Sequence, residues 1–529
     1  MRPTLDDIRE CLEGAVPGVM ATCAPDGTPN VSYLSHVEYV DREHVALSFQ
    51  FFSKTRQNVL ANPRARVLVT HPVTAARHRL SVHYLRTETS GPLFERMKAK
   101  LAGIASHTGM TGVFRLLGAD VYRVLAVERV PAPSLPAPAR ANLLPALRCF
   151  SERLARSTDL DAALTTTLDV LESDFGVQHA AILFFDRAHE HLYVVASRGY
   201  DRSGIGGEIP VGRGVIGVAA RELTPIRLAH VPAEYGYGRA LRDASSEHGS
   251  VATEIPPPGL HDARSQLAVP IVAMREPLGV LFVESRTESR FTYDDEDALV
   301  AVGRELGLAA RLLQASEDAQ GDGPAPDAHA QDASGGAVVV RHYAENDSVF
   351  MDDDYLIKGV AGAIFWSLVR DYVERGRTVF TNRELRVDPR IGLPELSDNL
   401  EARLILLRRR LDERSACARI EKVDRGRFRL RVERPLRLVE VGAGVGSGGR
   451  ARLERERQLR EVARAEPRSG QLDHAREGLG RRTLAHAGEH ADALAVAHRG
   501  IIHRRKMAIT SGGMEATRAS WTSSSSRSV

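Results

Sequence analysis

Three groups of residues in this chain have types and spacings that suit chemistry or a charged ligand. The first is Ser53, Lys54, Thr55 and Arg56, where a polar loop turns into a short helical segment. A helix start offers free N–H groups and the positive end of a dipole, so hydroxyls and cations there complete a seat for a phosphate; a solvated, capped helix start carries the same residue types. The second is Tyr235, Tyr237 and Arg239, two rings and a cation in the irregular stretch 232–263. The third is a run of arginines. Asn399, Arg403, Leu406, Arg410 and Arg414 fall on one stripe of a helix-patterned segment, and Arg427, Arg429 and Arg431 then alternate with Phe428, Leu430 and Val432. Alternation puts the guanidinium groups on one face of a strand and the apolar groups on the other. Such a helix and hairpin suit the backbone of a nucleic acid.

Reaction chemistry is harder to find. No acid/base pair stands out near Ser53–Thr55, so no catalytic residue is assigned, and no metal ligand either. His36, His71, His83 and His107 are isolated, as are His230, His248 and His261, and each reads as structural or solvated. Cys11, Cys23, Cys149 and Cys417 form no C-x-x-C pair, which points to a reducing cytoplasm and away from disulfide or zinc frameworks. No apolar run approaches the ~20 residues of a membrane span. The start, MRPTLDDIREC, lacks the apolar region of a secretory signal. A cytoplasmic protein with no membrane partner is expected.

The net charge of +3 misleads about nucleic acid. Residues 441–529 hold 16 Lys/Arg against 9 Asp/Glu, a net +7, so residues 1–440 sum to −4. Only a local patch can grip a polyanion. Between Asp398 and Arg434 there are 12 Lys/Arg against 7 Asp/Glu, which is such a patch.

The elements that must position these residues follow from linkers and periodicity. A chain of 529 residues exceeds one core and implies several domains. Pro131–Pro145 is Pro/Ala-rich and Ser316–Ala337 is polar and small, so both read as linkers. They divide the chain into 1–130, a linker 131–145, 146–315, a flexible linker 316–337, 338–440 and a tail 441–529. The tail has one aromatic residue, Trp521, and too little apolar surface to offset its ordering entropy, so it is expected to be disordered. In the first segment Val19–Cys23, Pro29–Val37, Val45–Phe49, Ala65–Thr70, His78–Thr87 and Ala119–Val130 read as strands, and Pro92–Ile104 as an amphipathic helix. In the second, Leu160, Leu164, Leu168 and Leu171 make one buried helical stripe behind a capping start at Thr158–Asp161, strands follow, and a helix over Thr292–Leu313 closes the unit. In the third, Leu356, Val360, Ile364, Leu368 and Tyr372 step by fours and Gly376 ends their helix. Thr381 and Glu384 then form a capping box, and Leu400, Leu404, Leu407 and Leu411 line a second helix with Arg403, Arg410 and Arg414 beside that stripe and Arg409 further round.

PGVMATCAPDGTPNVSYLSHVEYVD followed by VALSFQFFSKTRQNVLANPRARVLV resembles the pyridoxamine-phosphate-oxidase-like, FMN-binding split barrels. The resemblance implies FMN with its phosphate at Ser53, Lys54 and Thr55, and Ser35 and His36 on the strand facing the ring; deazaflavin, haem or no cofactor are the family's alternatives. The family's Arg-x-x-x-x-Lys pattern is missing from Ser32–Val37, which weighs against oxidation of a pyridoxine phosphate. Gly207–Gly217, Ser265–Val272 and Pro277–Ser285 with Phe291-Thr292 resemble the GAF domain. That implies a six-stranded antiparallel sheet with flanking helices and a small-molecule pocket under the loop bearing Tyr235, Tyr237 and Arg239. Val338–Val432 resembles the winged-helix domain of response-regulator-type transcription factors. The resemblance implies DNA contacts from Arg403, Arg409 and Arg410 on the last helix and from Arg425 and Arg427 on the wing.

The expected fold class is therefore multidomain α+β: a split β-barrel, a GAF sheet, a winged helix and a disordered tail. The leading functional expectation is a homodimeric regulator that senses redox state or a small ligand and acts on DNA. Two others stand beside it: an FMN-dependent oxidoreductase with a regulatory GAF domain, and a non-catalytic scaffold that binds a protein partner.

Overall fold

In the computed structural model the described residues are 3–12, 16–50, 54–107, 115–137, 141–186, 190–231, 255–320, 336–391, 393, 400–415 and 417–441. All of them lie in one compact unit, Met1–Gly444. Ser53, Tyr235, Tyr237, Arg239, Asn399 and the tail beyond 441 fall outside the described residues.

The first segment opens with a 3₁₀ turn, Asp6–Leu12, and then builds a seven-stranded sheet. Its strands are β1 (Gly18–Cys23), β2 (Pro29–Leu34), β3 (Val37–Tyr39), β4 (His44–Phe49), β5 (Arg64–Thr70), β6 (Arg77–Glu88) and β7 (Gly118–Val130). The order across the sheet is β2-β1-β5-β6-β7-β4-β3. β2 and β3 are consecutive in the chain yet form opposite edges. Two residues, Ser35 and His36, span between them, and at roughly 3.8 Å per Cα step the edges must meet. The sheet is therefore curled on itself, with Met20, Leu47, Val67, Leu80, Val82 and Tyr122 inside. The alternation of Pro29–Val37 reads as a single strand, but it breaks at this corner, where the His36 N–H donates to the Ser48 Oγ at 3.2 Å. Helix α1 (Lys54–Ala61) links β4 to β5, and α2 (Pro92–His107) sets Leu93, Met97 and Leu101 over Ala46, Ala119 and Val121 on the outer face.

The second segment follows helices α3 (Leu144–Leu154) and α4 (Leu160–Ser173). Asp159 caps α4, accepting from the Ala162 N–H at 2.9 Å, and the Leu160, Leu164, Leu168 and Leu171 stripe is buried. The sheet comprises β8 (His179–Asp186), β9 (His191–Arg198), β10 (Glu208–Pro210), β11 (Ile226–Leu228), β12 (Ser265–Ala273) and β13 (Glu276–Ser285). Their order is β10-β9-β8-β13-β12-β11, antiparallel throughout, as expected. Short helix α5 (Gly214–Glu222) covers one face. The other takes α3, α4 and the closing helix α6 (Tyr293–Gln320), which at 28 residues runs past Leu313 into the segment read as linker. Gly303 and Gly307 let α6 lie close on β12: a Cβ at 307 would sit 3.0 Å from the Val272 carbonyl oxygen.

The third segment starts with β14 (Val338–Tyr343), β15 (Ser348–Met351) and β16 (Asp354–Ile357), and β20 (Leu436–Val441) joins β14 in parallel. Between them come α7 (Gly359–Arg375), β17 (Val379–Thr381), α8 (Asn382–Val387), α9 (Leu400–Arg414) and the hairpin β18 (Ala418–Asp424) and β19 (Arg427–Val432). β19 also pairs with β17. Gly376 closes α7 in the left-handed conformation, and the Thr381–Glu384 capping box is complete. Phe428, Leu430 and Val432 are buried while Arg429 and Arg431 are exposed, so the alternation reads correctly. Buried apolar residues of the second and third segments form one continuous cluster.

Candidate functional site

At the barrel's helix start, Lys54 is exposed. The Thr55 hydroxyl accepts from Asn30 Nδ2 at 2.8 Å and donates to Ser32 Oγ at 2.9 Å, tying α1 to β2. Arg56 reaches Asp120 at 2.6 Å and Thr87 at 3.1 Å, and its guanidinium lies 3.8 Å from the Phe49 ring centre. These contacts hold α1 against β6 and β7. Thr55 and Arg56 thus serve internal bonds, and the described side chains do not by themselves make a phosphate cradle. Ser35 is half-buried at the corner between the edge strands.

His36 is turned inward, which differs from a residue facing a flat ring. Its Nε2 lies 2.8 Å from Glu38, and both side chains are essentially inaccessible. Glu38 also takes Lys100 Nζ at 2.9 Å and Arg96 at 2.9 Å. Burial alone would push the Glu38 carboxyl up, but Lys100, the bond to His36 and Arg96 outweigh it and hold the group well below its ordinary range. The alternation of β2–β3 gave no sign of this acid, because its partners come from α2, some sixty residues on.

Next to this cluster the barrel meets the second segment around one ring. Tyr293, at the start of α6, has the Arg227 guanidinium 4.3 Å, Arg9 4.6 Å and the Lys100 ammonium 5.1 Å from its centre. Arg9 continues to Asp297 at 2.6 Å, and Arg227 to Glu296 at 2.7 Å. Cations over an aromatic face are attracted by its quadrupole, more strongly when desolvated. The acidic start of α6 supplies the counter-charges.

The arginine helix α9 is where structure and sequence reading diverge most. The stripe beside its leucines was expected to stay open to a ligand. Instead Arg403 and Arg410 are each only 4% exposed, because α9 has two neighbours and not one. Arg403 pairs with Asp186 at 3.0 Å, and its guanidinium sits 3.9 Å from the Tyr193 ring centre. Arg409 donates to the Val195 carbonyl at 2.9 Å and to Asp161 at 2.8 Å, and Arg408 meets Asp161 at 2.5 Å. Lys422 on the hairpin pairs with Asp159 at 3.2 Å, and Lys358 with Glu208 at 3.0 Å. Arg410 stays within its own domain, bonded to the Leu356 carbonyl and Glu413, and burial holds its guanidinium below the ordinary value. Burial acts to raise Asp159, yet the Ala162 N–H and Lys422 leave it below its usual range. Arg425 is exposed at the hairpin turn. Arg427 is half-buried and, with Asp161, Glu401, Arg408, Lys422 and Asp424, lines a shallow, open cleft between the hairpin and α4.

On the outer face of the second sheet, His179, Glu284 and Gln266 stand in register across β8, β13 and β12. Glu284 accepts from the Leu260 N–H at 2.6 Å and from Gln266 at 3.0 Å. Burial lowers the pKa of His179. Among the described residues no group of three or more His, Cys, Asp or Glu side chains could hold a metal ion. No helix among them is long and apolar enough to cross a membrane.

Comparison with known proteins accounts for two of the three segments. The family model for the GAF domain matches residues 157–310, and that for pyridoxamine 5'-phosphate oxidase matches residues 4–110. This chain carries both domains. Among solved structures, the GAF domain of an Acinetobacter phosphoenolpyruvate-protein phosphotransferase is 20% identical, with 33% of this chain and 97% of that one covered and a TM-score of 0.27. Free methionine-R-sulfoxide reductase from Neisseria meningitidis, solved with its substrate, is 20% identical over 34% of this chain and 98% of its own, with a TM-score of 0.26. An FMN-binding protein from Syntrophomonas wolfei subsp. wolfei is 16% identical over 24% and 92%, with a TM-score of 0.20. Each of these likenesses is confined to one domain.

Proposed function

We propose that this chain is a sensor-regulator: the barrel and the GAF domain receive a small-molecule or redox input, and the third domain is a winged helix that delivers the response to DNA. The observation that carries this reading is the rim of exposed cations on the third domain. Arg414, Arg419, Arg425, Arg429 and Arg431 are all exposed on α9 and the hairpin, while the same two elements turn their leucines, Phe428 and Leu430 inward. The order helix, strand, short helix, long helix, hairpin agrees with that of a winged helix. Two copies acting together would double the basic surface. Exposed Val31 and Tyr33 on the outward face of β2 favour a homodimer built through the barrels. The test is fluorescence anisotropy with genomic duplex fragments. Binding that weakens steeply between about 50 and 200 mM salt is the expected result, and no binding at low salt overturns the DNA reading.

A flavin input rests on the domain match at residues 4–110. When bound, FMN would supply a redox-active ring, with Lys54 and Thr55 the described residues that family analogy sets at its phosphate. The ultraviolet–visible spectrum of the purified protein checks this. Flavin absorbance that bleaches and recovers would favour sensing or turnover, and an absent spectrum after added FMN would leave the GAF domain as the input.

A further inference from the structure

We infer that the GAF domain acts in cis as a competitor for the polyanion: its carboxylates occupy the cations of α9 and the hairpin that a phosphate backbone would otherwise contact. The inference rests on the DNA-binding reading and adds its regulation. Four cations of α9 and the hairpin meet carboxylates of the GAF domain. Arg403 takes Asp186, Arg408 and Arg409 share Asp161, and Lys422 takes Asp159. These three carboxylates come from two places on one side of the GAF domain, the start of α4 and the end of β8. Asp161 therefore offers its two oxygens to two guanidinium groups, much as a phosphate does, and Asp186 pairs with Arg403 where it lies over the Tyr193 ring.

The exposed rim of Arg414, Arg419, Arg425, Arg429 and Arg431 lies on the same two elements but outside this contact. Weak, non-specific attachment would thus remain in the docked form, while the helix face that enters a groove is covered. A DNA duplex cannot reach Arg403 or Arg409 until α9 leaves β9 and α4. The closest backbone approach in this region links the interface to the rest of the GAF domain. Gly206 has the side chains of Ile255, Leu406 and Arg410 around it, and Gly204 and Gly207 touch Pro257 and Pro258. Gly206 thus packs between Ile255 of the GAF domain and Leu406 and Arg410 of α9, so the masking contact includes close apolar packing as well as ion pairs.

The test uses the full chain with Asp161→Asn, Asp186→Asn and both together, against a mixed-sequence duplex of about 25 base pairs, in fluorescence anisotropy at several salt concentrations. Glu43→Gln, an equal charge change on the barrel, is the control. Circular dichroism checks the fold, and the singly substituted Asp161→Asn protein carries the test if the double variant fails to fold. The double variant is expected to bind at least about tenfold more tightly than the parent, with a salt slope steeper by about 3 as Arg403, Arg408 and Arg409 are freed. Hydrogen exchange in residues 400–414 is expected to speed up in the same variant. Equal affinities for parent, variants and control overturn the masking while leaving DNA binding in place. No binding by any of them at low salt overturns DNA binding and the masking with it.

Discussion

Replacing Glu38 with glutamine tests whether the buried cluster under α2 is held by its charge. The substitution keeps the shape and one acceptor but removes the carboxylate that Lys100, Arg96 and His36 share. Lys100 and Glu38 expose 5% and 1% of their side chains, so water replaces little of what is lost. Removing one partner of a buried ion pair costs about 3–5 kcal/mol. An independent bound agrees: a buried ammonium without a counter-charge can shed its proton, which for an ordinary lysine at pH 7 costs about 4.6 kcal/mol. At about 3–5 °C per kcal/mol for a domain of this size, the barrel's melting transition should fall by more than about 10 °C. Differential scanning calorimetry at pH 7, 8 and 9 measures it. If proton loss sets the cost, the penalty should shrink by about 1.4 kcal/mol per pH unit. A fall below about 3 °C, or one that does not change with pH, would refute the reasoning. The parent should behave oppositely at the acid end. The Glu38 carboxyl is depressed in the folded protein, so its contribution is fully present above the ordinary glutamate range and is lost as pH falls through the folded value.

Three other outcomes follow from local geometry. Met274 and Arg275 turn the β12–β13 hairpin at φ of 49° and 71°, which non-glycine residues resist, so Arg275→Gly should stabilise the GAF domain by about 0.5–1 kcal/mol, read as a higher melting temperature. Burial pushes the Cys11 thiol up to about 12, so at pH 8 it should react with iodoacetamide about a thousandfold more slowly than an ordinary thiol, and mass spectrometry should find it alkylated only after unfolding. Thr381→Ala removes one half of the capping box and should cost the third domain about 1 kcal/mol, followed by the fluorescence of Trp366, which stacks on His342 with ring centres 4.8 Å apart.

Elements governed by near neighbours were legible in the sequence. Alternation placed the barrel strands, the leucine stripe of α4 placed its buried face, and Thr381 with Glu384 marked the start of α8. What escaped were relations between distant parts. Pro29–Val37 alternates across a corner, and periodicity cannot register that the chain has moved from one edge of a sheet to the other. The face of α9 beside its leucines was read as open because amphipathic patterns describe a helix with one neighbour, and the GAF domain is a second. A signal was present, since Asp159 and Asp161 at the start of α4 are the opposite charge to Arg408, Arg409 and Lys422, but nothing local brings the two together. The Glu38 cluster hid for the same reason. Tyr235, Tyr237, Arg239 and Ser53 lie outside the described residues, so their sites remain expectations.

The close seat of α6 on β12 has a mechanical consequence. With a glycine at 307 facing the Val272 carbonyl, helix and sheet approach backbone to backbone, with no room for a side chain between them. That layer is a stiff wall, with the barrel fixed at the Tyr293 end of the helix and α9 resting against β9. A wall that does not bend cannot pass on a signal as a smooth deformation. Under the masking proposed above, the change at its rim is then the release of α9 and not a graded bend.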